Sequence, residues 1–202
     1  MTGPIIVAGV SSAGKSTFIS NTLVPRLVAE GTKPEEIDML FAGKLARTLS
    51  EAPEDARAAI FKPRRTSILH YNLLLPIVSS GGKEGFDVGT EPVAQALRAE
   101  ARTYRLYLCY APDAVIRARM QTREDAEPQL NPGQMPYPSD RFTGYFAKID
   151  QRQALLSLER ALRPQTTSVS VIYSNANETT ELSLDAFIHG QPDAQVQAAL
   201  TA

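Results

Sequence analysis

The chain has 202 residues, of which 43% are hydrophobic, so it is long enough to bury one core and short for two full domains. Its formal charge of -1 and the absence of Trp argue against nucleic acid as the main partner, since neither a basic field nor a stacking platform is written into it. Cys109 is the only cysteine, which rules out an internal disulfide and fits a reducing compartment.

In chain order, Ile5 to Val10 is an apolar, β-branched run and predicts a buried parallel strand. Ser16 to Glu30 has helical spacing at Ile19, Leu23 and Leu27. Pro25 is expected to kink or split it, and Gly31 to stop it. Ile37 to Phe41 predicts a short strand followed by a helix, and Pro53 to Phe61 a further short helix. Ser67 to Leu74 reads as the next strand, and Ser79 to Lys83 as a loop. Thr90 is placed to cap a helix running from Glu91-Pro92 to about Ala101.

Tyr104 to Tyr110 is a third clear strand, and Asp113 starts a helix expected to end at Arg123. The stretch from Glu124 to Asp140 carries Pro128, Pro132, Gly133, Pro136 and Pro138 and predicts an irregular lid. Phe142 to Leu162 predicts a long helix, Ser168 to Tyr173 a last strand, and Leu184 to Ile188 the start of a terminal helix. The apolar run at the N-terminus is too short for a signal-peptide core. The longest later run, near Leu69 to Ser79, is broken by His70, Asn72 and Pro76. The expectation is a cytoplasmic protein of one domain over residues 1–202. Alternating strands and helices predict an α/β fold: a three-layer arrangement with a mostly parallel central sheet and helices on both faces. Ligands of such sheets bind at the carboxyl ends of the strands.

The residues with the clearest chemistry are Gly9-Val10-Ser11-Ser12-Ala13-Gly14-Lys15-Ser16, followed by Thr17. They match the pattern G-x-x-x-x-G-K-[ST], which arises by chance in roughly one chain in a hundred of this length. The spacing suits a loop that turns its backbone N–H groups onto a phosphate. Glycines allow close approach and unusual φ angles, and Lys15 reaches the outer phosphates. Ser16 offers a hydroxyl oxygen to Mg²⁺, and the following helix adds its N-terminal partial charge.

On these residues the chain resembles the P-loop NTPase superfamily, and the resemblance implies binding of ATP with Mg²⁺. It lacks the Asn-Lys-x-Asp string of GTPases and the Leu-Ser-Gly-Gly-Gln signature of transporters. After the third clear strand come Asp113, a helix with Arg117, Arg119 and Arg123, a proline-rich excursion and then Arg141. This order resembles the lid of nucleotide, shikimate and gluconate kinases, and implies transfer of the γ-phosphoryl group to a small metabolite. Arg119 and Arg123 share one helix face, and Arg119, Arg123 and Arg141 are the candidate lid cations.

A carboxylate for Mg²⁺ is harder to find, because Ile68-Leu69-His70-Tyr71-Asn72 ends in Asn where an Asp would stand. Asp38, Asp87 and Glu91 are the acidic candidates. Asp38 is expected to act as general base for an acceptor hydroxyl at the end of the second strand. His70, Tyr71 and Asn72 form a polar cluster expected at the rim. The string from His70 to Leu74 also looks like a segment of bacterial P-loop proteins of surface-glycan loci. Two rival readings stay open: a nucleotide-binding regulatory or assembly ATPase, and a sulfotransferase-like enzyme. The acceptor is not named by any spacing, because acceptor pockets are built from scattered side chains.

Overall fold

The structure is a computed structural model that describes residues 4–52, 54, 58, 65–73, 87–99, 102–130, 150–175 and 178–190. Most of the expected helix over residues 53–61, residues 131–140 of the lid expected over 124–140, Arg141, and residues 142–149 of the helix expected over 142–162 lie outside the described residues.

Strand β1 (Ile5–Gly9) is buried along its whole length. An unbroken apolar run is what a strand needs when both its faces and both its edges are covered. It lies between β3 (Thr66–Asn72) and β4 (Tyr104–Tyr110), in a six-stranded sheet of order β2-β3-β1-β4-β5-β6. Strands β2 (Ile37–Phe41), β3, β1, β4 and β5 (Thr166–Ser174) are parallel. The last strand, β6 (Thr179–Ser183), is antiparallel to β5 and was not anticipated. Between them the Asn175 side chain accepts from the Glu178 amide at 2.7 Å.

The first helix, α1, follows β1 as three contiguous segments: Lys15–Phe18, a π-helical turn at Ile19–Leu23, and Val24–Ala29. Pro25 therefore neither splits nor ends it. Proline offers no N–H to the carbonyl four residues back, and the wider spacing, seen as Val24 N–H to Ile19 O, absorbs the missing bond. Gly31 does end it, with φ 94° and the paired bonds Gly31 N–H to Val28 O and Thr32 N–H to Leu27 O.

The remaining helices are α2 (Ala42–Glu51), α3 (Pro92–Ala99), α4 (Asp113–Leu130), α5 (Gln151–Leu162) and α6 (Leu184–His189). The helix α4 continues to Leu130, beyond its expected end at Arg123. Residues 124–127 contain no helix breaker, and the first proline, at 128, comes only in the last turn. The start of α3 is capped by Glu91, whose carboxylate accepts from the amides of Val93 and Ala94, and not by Thr90.

Helices cover both faces of the sheet. Phe18 of α1 packs on Tyr107 with ring centroids 5.1 Å apart, while Tyr104 donates to Leu97 O of α3 at 2.7 Å. Residues three apart on one strand face opposite ways, so α1 and α3 lie on different faces. Helices α2, α3 and α5 pack on one another in succession. No helix among the described residues is long and apolar enough to cross a membrane.

Candidate functional site

The parallel register sets the level of every group at the carboxyl rim. Gly9 at the end of β1 is level with Asn72 at the end of β3, and the Leu73 amide donates to Gly9 O at 3.0 Å. The loop Val10–Gly14 leaves this point and enters α1. Its two unusual backbone conformations fall on Ser12, φ 61°, and Gly14, φ 95°. Gly9 is a glycine for a different reason: a Cβ there would meet the Cys109 carbonyl oxygen of β4 at 2.5 Å. The loop thus uses one glycine for strand spacing and one for a left-handed turn, and Ser12 takes the other left-handed position.

Lys15 is folded inward, 4% exposed. Its ammonium donates to Gly9 O at 2.9 Å and to Val10 O at 2.7 Å. Burial, with some help from the Arg123 charge, pushes its pKa down to about 8. Ser16 and Thr17 are exposed on the first turn of α1, where helix N–H groups have no intrahelical partner. Ala13 is buried beneath the loop.

Ser11, Ser12 and Gly14 to Thr17 line a cavity of about 500 Å³ together with His70, Asn72, Arg119, Thr122 and Arg123. Asn72 donates to Ser11 Oγ at 3.0 Å, tying the loop to β3. Arg119 reaches from α4 to Ser12 O at 3.2 Å, and to Ser174 Oγ and Asn175 O at 2.8 Å each. It therefore links the loop to the end of β5. Arg123, one turn on, is exposed and borders the same cavity. The lining carries Lys15, Arg119 and Arg123 and, among the described residues, no carboxylate. Such a wall favours a polyanion.

His70 stands on β3 beside the loop. Its Nε2 is 3.4 Å from Ser16 Oγ, and its ring packs against that of Phe41, the last residue of β2, at 5.4 Å. Burial and the nearby Lys15 charge push its pKa down to about 4, so it is neutral at physiological pH. Phe41 is 54% exposed at this rim, an aromatic that periodicity had assigned only to strand or helix.

The expectation for Asp38 has to be corrected. It is the second residue of β2, not its end, and is level with Ser67 at the amino edge of the sheet. Asn72 marks the rim, so at about 3.3 Å per residue Asp38 lies about 16 Å below the loop. There it is held by a bidentate pair with Arg65, both bonds at 2.6 Å. Asp87 is a turn residue that accepts from Gly89 N–H and Ser157 Oγ. Glu91 accepts from the Tyr71 hydroxyl as well as capping α3. None of these acids lines the cavity, and no group of three His, Cys, Asp or Glu able to hold a metal occurs among the described residues.

Sequence reasoning missed Ser174 and Asn175. The signal was available, since polar residues directly after a β-branched run sit at the carboxyl end of a strand. It also missed Thr122, which one helical turn from Arg119 would have suggested.

No protein-family model matches the chain, and no curated protein sequence does. Among solved structures it is similar over 99% of its length to 97% of a provisionally named kinase from Chloroflexus aurantiacus J-10-fl, at 15% identity and a TM-score of 0.39. It is also similar over its whole length to 94% of a sugar kinase from Janibacter sp. HTCC2649, at 16% identity and a TM-score of 0.37. At such scores the likeness decides nothing about activity, and the functional reading rests on the site.

Proposed function

We propose that the chain is an ATP-dependent phosphotransferase that binds the triphosphate on the loop from Gly9 to Thr17 and passes its γ-phosphoryl group to a small metabolite. The single observation that carries this reading is the charge of the cavity. Lys15, Arg119 and Arg123 converge on a P-loop sequence at the carboxyl ends of parallel strands, with no carboxylate in the described lining.

Each residue then has a task. The loop amides and the N-terminus of α1 receive phosphate oxygens. Lys15 leaves the carbonyls of Gly9 and Val10 and turns its ammonium to the outer phosphates. Arg123 sits on the exposed side, where charge develops between donor and acceptor during transfer. Arg119 holds the loop against the end of β5 and keeps its shape as the ligand enters. A divalent cation, if bound with the triphosphate, would supply positive charge against the phosphate oxygens. For it the Ser16 hydroxyl is suitably placed, while a partnering carboxylate is absent from the described lining. Phe41, His70 and Asn72 border the side on which an acceptor would enter.

The test measures ATP consumption by purified protein with and without pooled sugars, nucleosides and hydroxy acids. Stimulation by one pool supports transfer. Turnover that ignores every pool favours a regulatory ATPase. Failure to bind ATP at all would remove both.

A further inference from the structure

The site presents a hydroxyl oxygen and an imidazole nitrogen side by side where a carboxylate would ordinarily be sought. We propose that Ser16 Oγ and His70 Nε2 together ligate the divalent cation of the bound triphosphate, and that the imidazole makes the site prefer Mn²⁺ or Co²⁺ to Mg²⁺. This rests on the reading that the loop binds a triphosphate.

Two donors on adjacent vertices of an octahedral ion, each about 2.1 Å from it, lie about 3.0 Å apart. The observed separation of Ser16 Oγ and His70 Nε2 is 3.4 Å, so both reach one ion after a shift of a few tenths of an ångström. The ring is not free to wander. Phe41 packs on it at 5.4 Å, and β3 fixes its backbone level two residues before Asn72. Serine and histidine both border the cavity where the triphosphate would lie.

The three acidic candidates of the sequence are committed elsewhere. Asp38 is paired with Arg65, Asp87 is bonded to Gly89 and Ser157, and Glu91 is bonded to Tyr71 and the first turn of α3. The remaining ligands would be phosphate oxygens and water. Mg²⁺ favours hard oxygen donors in a strict octahedron and gains little from a neutral imidazole. Mn²⁺ and Co²⁺ lie on the series along which affinity for nitrogen donors rises, with cobalt the stronger.

The experiment uses a non-hydrolysable ATP analogue with the full chain. The expected result in calorimetry is that the Mn²⁺ complex binds at least about tenfold more tightly than the Mg²⁺ complex, a preference that His70→Ala abolishes. Pulsed electron paramagnetic resonance of the Mn²⁺–analogue complex should show coupling to an imidazole nitrogen. That coupling should change on labelling with ¹⁵N-histidine, of which the chain has only two. His189, the other, is on α6, so loss of the coupling in His189→Asn would point away from His70. If His70→Ala fails to fold, the labelled wild-type spectrum decides alone. Absence of nitrogen coupling while the analogue still binds overturns this proposal and leaves the triphosphate reading standing. Failure of the analogue to bind, with or without metal, overturns both.

Discussion

Gly9 and Cys109 approach so closely across the β1–β4 boundary that the glycine has no room for a side chain. A Cβ on Gly9 would stand 2.5 Å from a carbonyl oxygen, a backbone atom that cannot swing away. Gly9→Ala should therefore push apart two central strands. The expected cost is about 1–3 kcal/mol, in the range of overpacked cores. Denaturant midpoints of the two proteins measure it, and an unchanged midpoint would mean the strands separate more easily than their packing suggests.

Lys15 should affect stability and binding in opposite directions. Its buried charge is held by two carbonyls, and burial has already pushed its pKa down to about 8. Replacing it with methionine removes a desolvated charge and keeps the volume, so thermal unfolding of the ligand-free protein should move to higher temperature. The same change deletes the cation that meets the outer phosphates and should weaken ATP binding roughly 10- to 100-fold. Calorimetry and thermal scanning of one preparation test both signs together.

The lowered pKa of Lys15 also predicts a pH dependence. The unfolded chain keeps an ordinary lysine near 10.5, so between about pH 8 and 10.5 the unfolded state binds more protons, and stability of the ligand-free fold gains from rising pH across that window. Phosphate favours the charged amine, which reverses the sign for binding. Affinity should be full below pH 8 and decline above it, with proton uptake on binding near pH 8 to 9. Calorimetry in two buffers of different ionisation enthalpy reads that uptake, and Lys15→Met should abolish it.

Arg119 and Arg123 lie four apart on α4 but should fail differently. Arg119→Ala leaves Ser12 O, Ser174 Oγ and Asn175 O without their shared donor and should cost about 1–2 kcal/mol of stability along with triphosphate affinity. Arg123→Ala, at an exposed position, should leave stability within about 0.5 kcal/mol. It should lower turnover more than ATP affinity, if its charge acts mainly in the transition state. Equal stability losses in the two variants would contradict this division.

Asp38→Asn should leave ATP turnover and affinity unchanged, because the carboxylate is paired with Arg65 at the amino edge of the sheet. A large drop in turnover would restore the role the sequence had suggested for it.

Local order alone specified the loop and its setting. The apolar run from Ile5, two glycines five apart, a lysine and a hydroxyl at a helix start are consecutive residues, and consecutive residues form strand, turn and helix through short-range sterics and hydrogen bonds. The strands at Ile37, Ser67, Tyr104 and Ser168, and the stop at Gly31, were legible for the same reason. Other features depended on residues far apart in the chain. Cys109 makes Gly9 obligatory only because β4 pairs with β1, and Ser174 holds Arg119 only because β5 pairs with β4. His70 faces Ser16 through the register of β3, while that register carries Asp38 to the other edge. The antiparallel β6 depends on the exposed edge of β5 being there to receive it. Register is a long-range choice, made by which strands share a buried face, and a shift of one residue would turn every one of these side chains to the opposite face.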